Sequence, residues 1–380
     1  MKVPFYKPDI DDREVTSVTR ALRHGMIGTG PLVEIFEKVF KNYIGASNAI
    51  AVNSASSALH LAVDALGIGP GDEVITTALT FTSTVLAIIY TGATPVLADI
   101  DPQTLCIDPE SVEKKITPRT KAILPVHYAG IPCDMDRMVE ICKEHDLALI
   151  EDAAHALPSE WNGKKIGSDR SEIKNIVCFS FQATKTLSIG DGGMLTTADD
   201  KLADIIRMKR LFGMKRKMNF SNTDIALQYG VEMLGYKYNM TDIEAAIGRT
   251  QLEKLEEMEE KRNIAAMQYE EELLLIKEID VLRVPDCARS SRHLFVILVK
   301  DPKKRNSLLE YLGSKGITAS VHFIPFYNFL YFQDMFKDCK KELVNTEDVS
   351  GRVVSLPFYS GITREQIDYV CDEIRKFFKS

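Results

Sequence analysis

The segment that decides the fold reads Val177-Cys-Phe-Ser-Phe-Gln-Ala-Thr-Lys185-Thr-Leu-Ser-Ile-Gly190-Asp-Gly-Gly-Met194. Its first residues have the pattern of a buried strand, its last residues form a glycine-rich turn, and Lys185 stands between the two. A lysine that is partly removed from water has a pKa below the usual ~10.4, so part of its amine is neutral. Such an amine can form a Schiff base, although a surface lysine on a loop fits the pattern equally well.

A second apolar segment, earlier in the chain, ends in a carboxylate. It reads Leu147-Ala-Leu-Ile-Glu-Asp152-Ala-Ala-His155 and places Asp152 at the carboxyl end of a predicted strand, where α/β sheets carry ligand-facing groups. A carboxylate there can pair with a pyridine nitrogen, so Lys185 and Asp152 together suggest pyridoxal phosphate chemistry. The alternatives are that Asp152 caps a helix and that His155 is a capping or core histidine.

Hydroxyl groups that could bind a phosphate follow another predicted strand. The segment Asn53-Ser-Ala-Ser-Ser57 opens a helix, whose first amide groups and hydroxyls form the type of site that phosphates occupy. Ser56 and Ser57 are the candidates there, Ser180 offers a further hydroxyl, and an ordinary helix cap is the alternative. Phe81 starts the next helix and could stack on a cofactor ring or belong to the core.

Composition is that of an ordinary soluble globular protein. The chain has 380 residues, of which 45% are hydrophobic and 27% charged, and its formal net charge of −7 argues against a nucleic-acid-binding protein. The N-terminus lacks the apolar core of a signal peptide, and no apolar run approaches the ~20 residues that span a bilayer. We therefore expect a cytoplasmic protein with no membrane partner.

Motifs for metals, disulfides and nucleotides are absent from the sequence. The seven cysteines include no Cys-x-x-Cys pair and are odd in number, so neither a zinc site nor a disulfide framework is indicated. Neither the G-x-G-x-x-G fingerprint of dinucleotide-binding proteins nor the phosphate-binding loop of NTPases occurs. The sequence therefore favours neither a dehydrogenase nor an NTPase.

Short apolar runs alternate with amphipathic stretches from about residue 45 to residue 200. This alternation predicts an α/β domain with a mainly parallel sheet that is covered on both faces. Thr241 to Lys261 is predicted as one long helix, with Glu253 to Arg262 as a solvated charged face. The segments beyond it, including a strand at Ala319 to Ile324, predict a smaller α+β domain. The predicted domains are residues 1–250 and 251–380.

Taken in order, the motifs resemble those of the DegT-type sugar aminotransferases. The matching segments are Gly25-Met-Ile-Gly-Thr-Gly30-Pro, Ser54-Ala-Ser-Ser-Ala-Leu-His60, Thr80-Phe81, Glu151-Asp-Ala-Ala-His155, Phe179-Ser-Phe-Gln-Ala-Thr-Lys185, Gly190-Asp-Gly-Gly-Met194, Gly235-Tyr-Lys-Tyr-Asn-Met-Thr-Asp-Ile-Glu-Ala-Ala246 and Leu356-Pro-Phe-Tyr359. The resemblance implies an aspartate-aminotransferase-like fold (pyridoxal phosphate fold type I). It also implies a homodimer with active sites at the subunit interface.

The resemblance further implies a role for each residue around the cofactor ring. Lys185 would form the Schiff base and move protons between the substrate carbon and the cofactor. Asp152 would pair with the pyridine nitrogen, His155 would lie near the ring, and Phe81 would stack on it. A lysine at position 185, where some relatives have histidine, argues against the variant that dehydrates instead of transaminating.

The phosphate and the substrate have their own implied residues. Ser56, Ser57 and Ser180 would bind the phosphate, and Lys237 or Asn239 would reach it from the neighbouring subunit. Many relatives have asparagine then arginine in that loop, and Gly-Thr where this chain has Ala55-Ser56. The candidates for binding the sugar nucleotide are Gly28, Thr29 and His322, and a histidine satisfied within a small-domain strand is the alternative for His322.

The implied activity is transamination by pyridoxal phosphate, with pyridoxamine phosphate as the intermediate form. Glutamate would donate the amino group, and a keto group of a nucleoside-diphosphate-linked deoxysugar, with C4 favoured over C3, would accept it for amino-sugar or surface-glycan biosynthesis. One alternative is an aminotransferase of the same fold for a cyclitol or an aminoaromatic precursor. The other is a cofactor-binding regulator without turnover.

Overall fold

A seven-stranded sheet forms the centre of the fold in the computed structural model, which describes residues 1–216 and 229–379. The strands in chain order are β1 (Asn48–Val52), β2 (Glu73–Thr77), β3 (Thr94–Ala98), β4 (Thr120–Leu124), β5 (Ala148–Asp152), β6 (Glu160–Trp161), β7 (Lys164–Lys165), β8 (Asn175–Ser180), β9 (Gly193–Thr197), β10 (Met214–Arg216), β11 (Tyr229–Val231), β12 (Ile279–Val281), β13 (Ala288–Arg289), β14 (Phe295–Val299) and β15 (Val353–Leu356). The central sheet has the strand order β1-β9-β8-β5-β4-β2-β3, and β9 alone runs against its neighbours. The predicted mainly parallel α/β sheet is confirmed.

Helices cover both faces of this sheet. In chain order they are α1 (Asp12–His24), α2 (Pro31–Ile44), α3 (Ala55–Ala65), α4 (Thr82–Tyr90), α5 (Pro109–Glu113), α6 (Met135–His145), α7 (Asp200–Lys209), α8 (Asp242–Glu253), α9 (Leu255–Leu273), α10 (Pro302–Ser314), α11 (Val344–Ser350) and α12 (Arg364–Lys379). Because side chains alternate along a strand, Ala49 and Ala51 of β1 enter the core that contains α2, whereas Ile50 and Val52 enter the core that contains α3. Burial on both faces explains the nearly continuous apolar runs of these strands.

The direction of the strands determines where the site lies. Asp152 ends β5, Ser180 ends β8, and the two strands are hydrogen-bonded neighbours, so both residues reach the same edge of the sheet. Helix α3 begins shortly after β1 ends, and Phe81 follows β2 as the residue that precedes α4. The carboxyl ends of the parallel strands thus bring distant parts of the chain to one edge.

A separate three-stranded antiparallel sheet, in the order β12-β14-β15, lies in the C-terminal part of the chain. Its buried residues form a core of their own with α9, α10 and α12. Residue 250 lies inside α8, and the strands of this sheet all follow residue 278. The division into domains 1–250 and 251–380 stays a prediction.

The predicted strand at Ala319 to Ile324 is wrong. The structure forms a single bridge there, between Ser320 and Ser355, and the chain then leaves the sheet. His322 and Phe323 turn to the cavity described below instead of extending the ladder.

The long helix predicted at Thr241 to Lys261 is two helices, α8 and α9, which meet at Lys254. The solvated face predicted for Glu253 to Arg262 is also wrong in part, because Lys254, Glu259 and Arg262 are buried. The Lys254 ammonium lies 3.1 Å from Asp9 Oδ1, 3.2 Å from Asp11 Oδ2 and 3.0 Å from Glu14 Oε1. The N-terminal segment thus supplies partners that the local charge pattern does not reveal.

Replacement of Lys254 is expected to destabilise the protein, because its side chain is 1% exposed and its loss leaves the buried Glu14 without its cation. We expect Lys254→Ala to lower the free energy of unfolding by about 3 kcal/mol. The measurement is urea denaturation followed by circular dichroism. Lys261→Ala is the matched control, because its ion pair with Glu257 is solvent-exposed and contributes about 0.5 kcal/mol or less. Equal losses in the two variants would contradict this interpretation.

The described residues contain no helix that is both long enough and apolar enough to cross a bilayer. Within the same residues, no group of three or more histidine, cysteine, aspartate or glutamate side chains is placed to hold a metal ion.

Candidate active site

A cavity of about 450 Å³ opens at the carboxyl edge of the central sheet. This volume lies within the range of roughly 300–1,000 Å³ that is usual for small-molecule sites. The predicted residues that line the cavity are Ser56, Phe81, Asp152, His155, Ser180, Lys185 and His322. Side chains that the sequence places far apart therefore meet in one concave site.

Lys185 lies in the turn between β8 and β9. Its backbone N–H donates to the carbonyl of Gln182 over 2.8 Å, and Ile189 and Phe181 close the loop with a further hydrogen bond of 2.9 Å. Among the described residues, no side chain or backbone group is hydrogen-bonded to the Lys185 ammonium. Burial lowers the pKa of Lys185 to about 8, against the opposing effect of the Asp152 carboxylate. Part of this amine is therefore neutral near physiological pH.

Asp152 is fixed at the end of β5 by two hydrogen bonds. The Thr84 hydroxyl donates to Oδ2 over 2.8 Å, and the Ala154 N–H donates to Oδ1 over 3.1 Å. Burial raises the pKa of Asp152, while these donors and Lys185 reduce the rise. No helix begins directly after Asp152, so the alternative that Asp152 caps a helix is wrong. The sequence analysis missed Thr84, which could be found only from its position in the first turn of α4.

A buried network stands behind Asp152 on the opposite face of β5. Glu151 accepts from His127 Nε2 over 2.9 Å and from Asn175 Nδ2 over 2.8 Å. His127 Nδ1 accepts from the Cys133 N–H, so the ring proton lies on Nε2. Burial alone would raise the pKa of Glu151. The hydrogen bond from His127 and the charge of Arg170 outweigh this effect, so the pKa lies below its usual value. These bonds hold the strand end that carries Asp152.

The N-terminus of α3 forms another wall of the cavity. Ser54, Ala55 and Ser56 line it, and the Ser54 hydroxyl caps the helix by accepting from the Ser57 N–H over 3.0 Å. The Ser57 hydroxyl donates to Asn53 Oδ1 over 2.6 Å, and Ser57 is not among the lining residues. Gly193 packs so closely here that a Cβ atom would lie 2.7 Å from the carbonyl carbon of Ser54. The glycine-rich turn after Lys185 is thus in contact with the helix that could hold an anion.

Aromatic and imidazole rings complete the cavity. The His155 ring lies 4.4 Å from that of His293 and 5.8 Å, nearly parallel, from that of Phe323, measured between centroids.

His322 stacks on Phe5 and is hydrogen-bonded through Nδ1 to the Ser355 hydroxyl. Burial lowers the pKa of His322 to about 4, helped by Lys185. Phe81 stands at the rim with its side chain exposed. The sequence analysis missed His293, because nothing in the local pattern distinguishes it from a core histidine.

The remaining predicted residues form a cluster outside the cavity lining. Lys237 donates to Asn239 Oδ1 over 2.6 Å, Asn239 donates to the Thr29 hydroxyl, and the Gly28 carbonyl accepts from Asp242 over 2.7 Å. The turn that contains Gly28 is therefore joined to the loop that contains Lys237. Their roles in binding phosphate or substrate stay predictions.

Known proteins were then compared with this chain. A sequence profile of the DegT/DnrJ/EryC1/StrS aminotransferase family matches residues 8–375. The spore coat polysaccharide biosynthesis protein SpsC of Bacillus subtilis (strain 168) is 42% identical over 382 residues, which cover 99% of this chain and 97% of SpsC.

Two solved structures show the same fold. The sugar aminotransferase CalS13 from Micromonospora echinospora superposes with a TM-score of 0.88, is 28% identical, and the match covers 98% of this chain and 99% of CalS13. The PLP-form of Spr1654 from Streptococcus pneumoniae superposes with a TM-score of 0.91 and is 29% identical, with 100% of this chain and 99% of that one covered.

Proposed function

The chain belongs to the DegT/DnrJ/EryC1/StrS aminotransferase family, and we propose that it moves the amino group of glutamate to the 4-keto group of a nucleoside-diphosphate-linked deoxysugar. The observation that carries this proposal is the Lys185 amine, which has no hydrogen-bond partner among the described residues and lines the same cavity as Asp152. The relatives support the sugar as substrate, since SpsC is named for polysaccharide biosynthesis and CalS13 as a sugar aminotransferase. We propose an amino-sugar or surface-glycan pathway accordingly.

Pyridoxal phosphate is the proposed cofactor, and the cavity fits its three recognition groups. Lys185 offers an amine for its aldehyde, Asp152 offers a carboxylate for its pyridine nitrogen, and the N-terminus of α3 offers N–H groups for its phosphate. The His155 ring lines the cavity and has no hydrogen bond with the described residues, so it can contact a polar group of the cofactor. Spr1654 has been solved in a PLP-form, which supports the same cofactor here.

When bound, pyridoxal phosphate supplies an electron sink for the carbon that loses its proton. Lys185 would move a proton between the substrate carbon and the aldehyde carbon of the cofactor, because its lowered pKa lets one amine act as both base and acid near neutral pH. Asp152 would keep the pyridine nitrogen protonated, and Thr84 and Ala154 hold the carboxylate in position for that contact. Ser54, Ser56 and Ser180 would orient the phosphate.

We also propose a cytoplasmic homodimer. In this arrangement Lys237 and Asn239 of one protomer would approach the phosphate bound by its partner. The cluster that joins Lys237, Asn239 and Thr29 supports this proposal, because these polar groups lie together outside the cavity of their own chain. Leu234 lies in the same loop and is exposed, as an interface residue would be in the separate chain.

The pKa of Lys185 can be tested without cofactor. We expect the rate at which acetic anhydride acylates Lys185 in the cofactor-free protein to rise with pH and to reach half its maximum at about pH 8. The neutral amine is the reactive form, and an unperturbed lysine reaches half reactivity near ~10.4. Competitive labelling followed by mass spectrometry of the Lys185 peptide measures this midpoint. A midpoint above 10 would show that burial does not favour the neutral amine.

The proposed reaction is tested by incubating the holoenzyme with glutamate and separate 4-keto and 3-keto nucleotide sugars and a keto-inositol. We expect an amino sugar from a 4-keto substrate, read as the mass that replaces the keto oxygen with an amine. Amination of the 3-keto sugar alone would move the reaction to C3. Amination of the keto-inositol alone would make the protein a cyclitol aminotransferase.

A further inference from the structure

The two substrates of the proposed reaction differ at the position next to the reacting carbon. An amino-acid donor carries a carboxylate there, whereas a keto sugar carries an uncharged carbon with hydroxyl groups nearby. Both must use one cavity in turn, because Lys185 serves both half-reactions. The following inference rests on the proposed function and asks which residue recognises the donor carboxylate.

Among the described residues that line the cavity, Lys185 carries the single ammonium group, and none carries a guanidinium. Arg262 lies close by but is turned elsewhere. Its Nη1 donates to the carbonyl of Arg292 over 3.1 Å and to that of His293 over 3.5 Å, and Arg262 is not a lining residue. Arginine, the usual partner of a carboxylate, is therefore missing from the described cavity lining, and imidazoles stand there instead.

His293 and His155 are the two imidazoles of the described cavity lining whose buried Nδ1 atoms have no hydrogen-bond partner among the described residues. They are 5% and 7% exposed, and their ring centroids are 4.4 Å apart. The Nδ1 atoms are closed off from the cavity, so a ligand there would reach each ring through Nε2, for which the described residues supply no hydrogen bond either. An unpaired imidazole nitrogen beside an open cavity is what a site for a small polar group requires.

The backbone around His293 is fixed independently of any ligand. The Leu294 N–H donates to the Ala129 carbonyl over 3.3 Å, and the Ser291 N–H donates to the Ser159 hydroxyl over 3.0 Å. The Ser291 hydroxyl also donates to the carbonyl of His155, which ties the two histidine segments together. Both rings are thus held in place before a substrate enters.

We propose that His293, whose ring lies beside that of His155, binds the α-carboxylate of the amino donor and binds a hydroxyl group of the keto sugar when the sugar occupies the same position. A histidine suits both substrates because it can carry a proton or release it. An arginine would keep its charge with the sugar bound and would then be a buried cation without a partner, which is costly.

The electrostatic surroundings favour the neutral ring before the donor binds. Burial lowers the pKa of His293 well below its usual value, and electrostatic interactions with His155, Lys185, Arg262 and His322 lower it further. A carboxylate at hydrogen-bond distance acts in the opposite direction and raises this pKa. Binding of the donor therefore takes up a proton, and affinity for the donor falls as the pH rises through the pKa of the complex.

The first test measures the two half-reactions of the holoenzyme separately in His293→Gln, whose amide forms hydrogen bonds but cannot become charged. We expect kcat/KM for glutamate to fall about tenfold to a hundredfold, the order of a hydrogen bond to a charged group, and to lose its dependence on this proton. The keto-sugar half-reaction of the pyridoxamine form should change less than about threefold, because the neutral contact remains. His145→Gln, an exposed histidine at the end of α6, is the matched control.

The second test measures the proton uptake directly. Glutarate has the carboxylates of glutamate but no amine, so it binds without reacting. Calorimetry of glutarate binding to the wild-type holoenzyme, in two buffers of different ionisation enthalpy, should show proton uptake that His293→Gln and His293→Asn lose. Absence of uptake in the wild type, or equal slowing of both half-reactions in His293→Gln, would overturn the inference while leaving the proposed function intact. A wild-type holoenzyme that reacts with neither substrate would overturn both.

Discussion

Lys185→Ala is expected to lower the rate of transamination by about 10³-fold or more, because one side chain supplies both the covalent attachment and the proton transfer. Among the described residues that line the cavity, the other titratable side chains include Asp152, which accepts from Thr84 and Ala154, and His322, whose pKa is lowered to about 4. Single-turnover kinetics with glutamate measure the loss.

Lys185→Arg separates the chemistry from the charge. Arginine keeps a positive charge beside Asp152 but remains protonated, so we expect it to be as inactive as the alanine variant. Thermal unfolding of both variants should stay near that of the wild type, since the Lys185 amine forms no hydrogen bond with the described residues. A Lys185→Ala enzyme that kept a tenth of the wild-type rate would show that another residue transfers the proton.

Asp152→Asn is expected to reduce kcat on the order of 10²–10³-fold, because an amide cannot stabilise a protonated pyridine nitrogen as a carboxylate does. The substitution preserves size, but the amide has a single acceptor oxygen, so one of the two donors, the Thr84 hydroxyl or the Ala154 N–H, loses its acceptor. The loss should appear in both half-reactions, since both need the electron sink.

Thr84→Val is the companion variant for Asp152. It removes the donor to Oδ2, and with it the hydrogen bond between the Thr84 and Thr80 hydroxyls, and we expect a loss of about tenfold or less, in keeping with one hydrogen bond to a charged group. If Asp152→Asn retained the wild-type rate in both half-reactions, the carboxylate would have no role in the chemistry.

Much of the fold could be predicted because local pattern and global structure agree. The runs that contain Ile50, Ile150 and Val177 are apolar because their strands are buried on both faces, and that burial identifies a parallel sheet. The same logic places Asp152 and Ser180 at one edge, since parallel strands end together.

The failures share a physical cause, which is dependence on distant residues. In the sequence Lys254 resembles a surface lysine, because its ion-pair partners Asp9 and Glu14 lie far away in the N-terminal segment. The segment that contains His322 has a strand-like pattern, but its place next to the cavity ends the pairing after Ser320. Tertiary contacts of this kind leave no trace in local periodicity.

Some residues of the candidate site can be recognised in the sequence, and others cannot. Lys185 and Asp152 could be predicted because each follows a strong strand signal, whereas Ser54, Thr84 and His293 contribute through contacts that join separate segments. Ser57 is the opposite case. It belongs to the segment that the sequence indicates for phosphate binding, but its hydroxyl donates to Asn53 within the helix cap.

The proposed chemistry depends above all on Lys185 as the residue that holds the cofactor. The most direct measurement reduces the pyridoxal phosphate-loaded protein with borohydride, digests it and determines by mass spectrometry which peptide carries the phosphopyridoxyl group. The account predicts a single modified peptide, with the group on Lys185. Modification of a different lysine, or of none, would contradict it.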